Sequence, residues 1–269
     1  MLTVASVNVN GVRAAMAKGM AAWLADVAPD VLCLQEVRAG AADVPAGLGE
    51  DAGWHGAHAV CSRPGRAGVA VLTRRPAEAV RVGFGVEVFD TAGRYVEVWL
   101  PGLVVASVYV PTGEVGTPRQ EEKESFLAGL HEHLVGLAAT AGRAVLVCGD
   151  FNIAHREADL KAWRANRGRA GFLPQERAWL DRLYRQAGYV DVVRRLHPDR
   201  EGPYTWWSYR GRAFDNDAGW RIDLQVATPD LAARAVRAQV HRAVGYDRRF
   251  SDHAPVVVDY DVPGTSSHS

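Results

Sequence analysis

Residues 144–155 read AVLVCGDFNIAH. A compact, Val- and Leu-rich run gives way without transition to Gly149, Asp150 and Asn152. The run has the length and β-branched content of a buried strand. The residues after it admit two readings. Gly, Asp and Asn all form turns, so the segment could be a plain chain reversal. A carboxylate and a carboxamide delivered two residues apart could equally belong to a site.

Outward from this segment the same unit recurs. Strand-like runs cover 2–9, 31–35, 68–72, 94–99, 103–110, 222–227 and 255–260. Between them, 14–27, 121–137 and 175–186 carry helical spacing, the second with apolar residues at 126, 127, 130, 134 and 137. Strands joined both by helices and by tight turns such as Pro101-Gly102 predict an α/β fold with mixed sheets and helices on the outer faces. Neither a linker nor a repeat interrupts the pattern, so residues 1–260 are expected to form one domain, with 261–269 a frayed tail.

Lys plus Arg and Asp plus Glu both number 31, giving zero formal charge. That argues against a sequence-blind DNA-coating protein and leaves room for a locally basic face. Cys33 and Cys148 lie in apolar runs and Cys61 stands apart, an odd set without metal-type spacing. Buried reduced thiols, and hence a cytoplasmic location, are the expectation. No apolar run approaches the length of a membrane span, so no membrane association is expected.

Polar side chains gather where the apolar runs end. Asn8 ends NVN, Glu36 follows LCLQ, Tyr109 opens YVP, Asp150 and Asn152 sit in GDFN, Asp223 in WRIDL, and Asp252-His253 precede the last strand. Strand ends are where loops converge on ligands in open sheets. The set has no Ser or Cys nucleophile beside an obvious base, and it lacks a phosphate-loop glycine pattern. It is oxygen-rich, which suits a hard cation: magnesium, with manganese as the alternative. Phosphoester hydrolysis by a positioned water uses all of these groups. Glu36 is then the main metal ligand, with Asn8 beside it through its carbonyl oxygen or a metal-bound water. Asp150 orients and deprotonates the water. Asn152, on the same side of an extended segment, holds that water or a phosphate oxygen. His253 donates to a non-bridging oxygen, with Asp223 fixing its ring. Tyr109 either donates to phosphate or, with a lowered pKa, assists proton transfer. His55, His58, His131, His133, His155 and His197 have no such pattern around them and read as structural or surface groups.

Residues 155–185 carry eight basic side chains, Arg156 among them, against four acids, and 234–249 carry five arginines against one acid. Either stretch could follow a phosphate backbone. PYTWWSYR (203–210) and FDNDAGWR (214–221) bunch the aromatics. Trp206, Trp220 and Ile222 are candidates for a slot that receives a base or an extrahelical sugar, whereas Trp207 is assigned equally to core packing.

NVNGVRA (8–14), LCLQEVR (32–38), YVPTG (109–113), GDFNIAH (149–155), GFLPQER (171–177), YTWWSYR (204–210), GWRIDLQVATPDL (219–231) and SDHAPV (251–256), in this order, resemble the exonuclease III family of DNA-repair nucleases. This family lies within the wider endonuclease/exonuclease/phosphatase group that also contains the DNase I-like enzymes. GDFN and SDH alone indicate the wider group; NIAHRE with PQER and GWRID narrows it. The resemblance implies a four-layer sandwich, two mixed sheets face to face with helices outside. It implies magnesium-dependent incision of duplex DNA 5′ to an abasic site, leaving a 3′ hydroxyl and a 5′ deoxyribose phosphate, with 3′→5′ exonuclease and 3′-end-cleaning activity; a monomer is the separate expectation. It places Glu36, Asn8 and Asp252 at the metal, Asp150, Asn152, Tyr109, Asp223 and His253 at the chemistry, and Trp206, Trp220 and Ile222 around the abasic sugar. Three positions depart from many relatives: Thr112 replaces a longer amide that reaches phosphate, Arg119 replaces lysine, and Ile222 replaces leucine or an aromatic. Other readings compete: a predominant 3′ exonuclease or 3′ phosphatase, a group member acting on RNA or small phosphoesters, and a DNA-binding module without catalysis.

Overall fold

Twelve strands make two six-stranded sheets among the residues that the computed structural model describes, 1–63 and 65–262. Of the expected tail, 263–269 lies outside the described residues. In chain order the strands are β1 (Leu2–Asn8), β2 (Val31–Gln35), β3 (His55–Ala59), β4 (Val69–Thr73), β5 (Ala79–Val82) and β6 (Tyr95–Leu100). They continue as β7 (Leu103–Tyr109), β8 (Ala144–Asp150), β9 (Val190–Asp191), β10 (Asp223–Ala227), β11 (Ala235–Val240) and β12 (Val256–Tyr260). The first sheet runs β11-β12-β1-β2-β4-β3 and the second β5-β6-β7-β8-β10-β9.

Each sheet has a single parallel neighbour pair, β1/β2 and β7/β8, and the other pairs are antiparallel. A parallel pair needs a crossover long enough to return the chain to its starting edge. The first consists of helices Val12–Ala15 and Ala21–Val27, separated by a kink at Gly19 (φ 118°). The second is the long helix Pro118–Thr140. In consequence Asn8 ends level with Gln35, and Tyr109 ends level with Asp150. Asp223 opens the antiparallel β10 directly opposite Asp150. All the strand-end polar groups therefore arrive at one rim.

Three apolar layers hold this frame together. Val4, Cys33, Val71, Val105, Leu146 and Cys148 pack between the sheets. Met20 and Leu24 cover the outside of the first sheet, and Phe126, Leu130, Trp179 and Leu183 cover the outside of the second. The result is the expected four-layer sandwich. Polar pins cross the central layer: Gln35 Nε2 donates to Ser107 Oγ (3.0 Å), and Gln225 Nε2 donates to the carbonyls of Val4 and Val256 (both 3.1 Å). Such bonds fix the register of one sheet against the other, which apolar contacts alone do less well. Among the described residues no helix is long and apolar enough to cross a membrane.

The sequence pattern misses β3, β5, β9 and β11. β5 is exposed along its whole length, so it shows no alternation, and β9 has only two residues. Helix Pro118–Thr140 starts before the expected residue 121, because Thr117 Oγ1 accepts from the Arg119 N–H (3.3 Å) and proline suits the first turn.

Candidate active site

GDFN proves to be a turn and part of the polar cluster at once. β8 runs through Asp150, and the segment is not extended beyond it: Asn152 has φ 50°, in the left-handed region. The Asn152 N–H donates to Asp150 Oδ1 (2.9 Å), closing a turn that locks the carboxylate. Asn152 Nδ2 donates to the Val110 carbonyl (2.9 Å), so one amide hydrogen is committed to the YVP loop. Glycine is required at 149, where φ is 150° and a Cβ would lie 2.0 Å from the Val108 carbonyl oxygen. Glu36, at φ 50°, is also left-handed, a conformation costing roughly 1–2 kcal/mol for such a residue. It is held there by Gly11 N–H donating to its carbonyl (2.8 Å).

Asn8, fully buried, is the clamp at the centre. Its Nδ2 donates to Glu36 Oε1 (2.9 Å) and Asp150 Oδ2 (3.0 Å), while its Oδ1 accepts from the Asn10 N–H (3.0 Å). Of the two expected arrangements, this one disfavours direct ligation through the carbonyl oxygen, which accepts from backbone, while the amide nitrogen faces the two carboxylates. Ser251 Oγ donates to the Asn8 carbonyl (2.6 Å) and accepts from His253 N–H (3.2 Å), joining β1 to the SDH turn. Asp252 does not join Glu36. Its oxygens accept from Asn10 Nδ2 (2.8 Å) and Trp206 Nε1 (3.1 Å), which fixes the Trp206 ring rather than contributing to the cation cluster.

Ligand atoms of Glu36, Asp150 and His253 lie within 4.8 Å of one another. His253 Nδ1 bonds Asp223 Oδ2 (2.9 Å) and its Nε2 is 3.8 Å from Asp150 Oδ2. Burial disfavours its charge, yet Asp223, then Asp150 and Asp252, raise its pKa to about 10. An imidazolium is a donor, not a metal ligand, so the hard donors are the carboxylates of Glu36 and Asp150. A divalent oxygen-seeking cation fits that pair. Arg38 makes an ion pair with Glu36, and Asn8 bridges both acids. Burial, with Asp223 and Glu36 adding negative charge, lifts Asp150 to about 7 against the opposing pull of His253 and Asn8. Burial and the negative field of Glu36 and Asp150 push the Tyr109 phenol upward, which favours its hydroxyl as a donor to phosphate over a proton-transfer role. Arg94 lies over its ring at 4.7 Å.

Beside His253, Trp206 and Trp220 pair edge to face (centroids 6.3 Å) and exchange backbone hydrogen bonds of 2.9 Å. Both are half-buried against Ile222, Phe172, Leu160 and Ala154. Trp207 is core, 1% exposed. On the Glu36 side a cleft of about 990 Å³ opens past Tyr109 and Thr112, lined by Arg38, Arg63, Arg66, Arg94 and Arg119. Arg119 is exposed and 3.4 Å from Glu114. Arg156 is not brought to the cluster; it is exposed on a turn where its backbone N–H donates to Asp159 Oδ2 (2.8 Å).

Sequence reasoning missed two buried supports. Lys123 Nζ, fully buried, bonds the carbonyls of Asn152 (2.9 Å) and Thr112 (3.2 Å) and pairs with Glu176 (2.7 Å), tying the GDFN and YVPT loops to the first turn of helix Pro174–Gln186. Arg221 bonds Asp159 (2.7 Å) and Asp191 (2.7 and 3.1 Å) beneath the tryptophan slot. The signal available was the presence of PQER and GWRID themselves, charged residues inside otherwise apolar stretches. Arg38, Arg63, Arg66 and Arg94 also escaped notice, because they come from separate segments that no local charge count joins. Two of the histidines outside the cluster are paired structurally: His133 with Glu97 (3.0 Å) and His155 with Asp181 (2.9 Å).

Comparison with known proteins bears on this geometry. The model of the endonuclease/exonuclease/phosphatase family matches residues 5–253. An exodeoxyribonuclease of Bacillus subtilis (strain 168) is 36% identical over 252 residues, spanning 93% of this chain and 95% of the relative. The DNA repair nuclease APEX1 of Danio rerio is 33% identical over 263 residues, 96% of this chain and 81% of its own length. Among solved structures, the 3′ phosphatase NExo from Neisseria, bound to a product DNA hairpin, has a TM-score of 0.88 at 29% identity, covering 97% of this chain and all (100%) of that one. An AP endonuclease from Archaeoglobus fulgidus has a TM-score of 0.86 at 29% identity, with the same coverage.

Proposed function

Because the chain belongs to the endonuclease/exonuclease/phosphatase family, within its exodeoxyribonuclease III branch, we propose that it is a magnesium-dependent DNA-repair phosphodiesterase. Its reaction is incision of duplex DNA 5′ to an abasic site, leaving a 3′ hydroxyl and a 5′ deoxyribose phosphate. The observation that carries this reading is the juxtaposition of the Glu36–Asp150–His253 cluster with the half-buried Trp206/Trp220 slot. One wall offers phosphate chemistry and the adjoining wall offers space for a sugar without its base.

Residues 1–260 act as the catalytic domain. Glu36, with Asp150 beside it, holds the cation; Mg²⁺ suits the oxygen donors and Mn²⁺ is the nearest substitute. When bound, the cation neutralises charge on the phosphate and on the departing 3′ oxygen. Asp150, with its pKa lifted to about 7, orients the attacking water and accepts its proton. His253, held as imidazolium by Asp223, donates to a non-bridging oxygen, as do the Tyr109 hydroxyl and the uncommitted amide hydrogen of Asn152. Asn8 keeps the two acids apart and aimed, and Asp252 steadies Trp206. Trp206, Trp220 and Ile222 receive the abasic sugar. The arginine-lined cleft, with Thr112 and Arg119 on its wall, takes the backbone of duplex DNA; Arg156 reaches flanking phosphate only at the periphery. The same chemistry at a strand end removes a 3′ phosphate or nucleotide, a second activity that the likeness to the Neisseria 3′ phosphatase favours. The buried unpaired thiols of Cys33 and Cys148 support a reducing cytoplasm, and the monomer is taken as the working unit.

The test is an incision assay on a duplex with one synthetic abasic site, with Mg²⁺ or with chelator, resolving both product ends. A 3′ hydroxyl with a 5′ deoxyribose phosphate, seen only with the cation, is expected. Intact abasic strand alongside robust hydrolysis of RNA or small phosphoesters would overturn the assignment.

A further inference from the structure

We propose that a second groove, along the free edge of β11, binds a single-stranded segment of the nucleic acid that is cut in the active site; this rests on the DNA reading above. The groove has a volume of about 840 Å³ and carries Lys18, Arg200, Arg237, Arg242 and Arg248. None of the described residues lining it is acidic, in a chain whose basic and acidic residues balance at 31 each. A concentration of one sign in a neutral molecule marks the chemistry of the partner as a polyanion.

The cations are not consumed internally to the same degree. Arg237 is paired with Asp259 (2.6 Å), and Arg242 is held by the Phe214 carbonyl (2.6 Å) and over the Phe214 ring (4.4 Å), whereas Arg248 stands 3.7 Å from Asp247, at the limit of an ion pair. Lys18 and Arg200 have no ion-pair partner among the described residues, although the Arg200 carbonyl accepts from Arg194 Nη1 (2.6 Å), which anchors its loop. β11 is an edge strand without a strand partner on its outer side, where the Ala238 carbonyl bonds His197 Nε2 (2.9 Å).

One observation favours single-stranded over duplex nucleic acid. Trp23 and Phe250, half-buried with centroids 5.8 Å apart, line the groove, and Trp23 Nε1 is fixed on His241 Nδ1 (3.1 Å). Oriented aromatic faces serve unpaired bases, since those of a duplex are already stacked. Phe250 immediately precedes the Ser251–His253 turn, so one segment of the chain connects this groove to the active-site rim.

The test compares a blunt abasic duplex with duplexes carrying a ten-nucleotide 3′ or 5′ single-stranded tail close to the lesion. Binding is measured by fluorescence anisotropy, with Ca²⁺ replacing Mg²⁺ to restrain cleavage. Wild-type protein is expected to bind one tailed duplex about tenfold more tightly than the blunt one. Arg200→Glu/Arg248→Glu, both at exposed positions, is expected to abolish that difference and to lower the salt slope by about 1.4. Incision of the blunt duplex with Mg²⁺ stays unchanged in the variant. Equal wild-type affinity for blunt and tailed duplexes, or equal weakening of both in the variant, overturns the groove as a single-strand site. Failure to incise the blunt duplex overturns the catalytic assignment instead, so the two failures are distinct.

Discussion

Asp150 and Asp223 face each other across β8 and β10, a pairing of like charges that a sheet ordinarily avoids. His253 between them makes it tolerable, and the pair in return keeps His253 charged. Replacing Asp223 by Asn removes the nearest negative charge while retaining the side chain's shape. The His253 pKa in metal-free protein, followed by NMR, is expected to fall by roughly 1–3 units from its value near 10. Trp220→Ala is expected to slow incision at abasic sites by at least about tenfold while trimming at a nicked 3′ end changes little; equal losses on both substrates would remove Trp220 from the sugar slot. The identities of these side chains could be read from their places at the ends of apolar runs. Their bonds could not. That Asn8 turns its nitrogen to the acids, and that Asp252 serves Trp206, depend on Asn10 and on contacts between segments far apart in the chain.

β8 and the turn after it show how an element determines the site. Gly149 lets the strand approach Val108 so closely that no other residue fits. Gly149→Ala is expected to destabilise the protein by several kcal/mol, combining overpacking against backbone with φ strain; a chemical-denaturation midpoint within error of wild type would contradict this. Central strands and the two crossover helices were legible because burial on one or both faces leaves period two or period 3.6 in the sequence. Edge strands were not. β5 is solvated on both faces and β3 is His- and Gly-rich, so neither leaves a pattern, and their pairing with β6 and β4 decides them.

Across the whole molecule, two parallel pairs, one per sheet, bring the clustered polar groups from both halves of the chain to a common rim, and buried polar pins hold the halves in register. The Arg221–Asp159–Asp191 network anchors the segment carrying Trp220 in the same manner. Burial opposes ionisation of Asp159, but Arg221 and Arg194 prevail and depress its pKa from 3.8 to about 2. A depressed carboxylate stabilises the fold above its unfolded pKa and loses that contribution as pH falls through the folded value. About 2 kcal/mol is therefore expected to disappear between about pH 4 and pH 2, and Asp159→Asn should flatten that part of the stability–pH curve. An unchanged acid limb in the variant would show that other carboxylates dominate it. The decisive experiment is single-turnover incision of an abasic duplex by wild type and Asp150→Asn, with binding measured alongside. A loss of about 10²–10⁴ in rate with duplex affinity retained is expected of a group that takes a proton from water. Wild-type incision by Asp150→Asn would contradict the placement of the chemistry in this cluster.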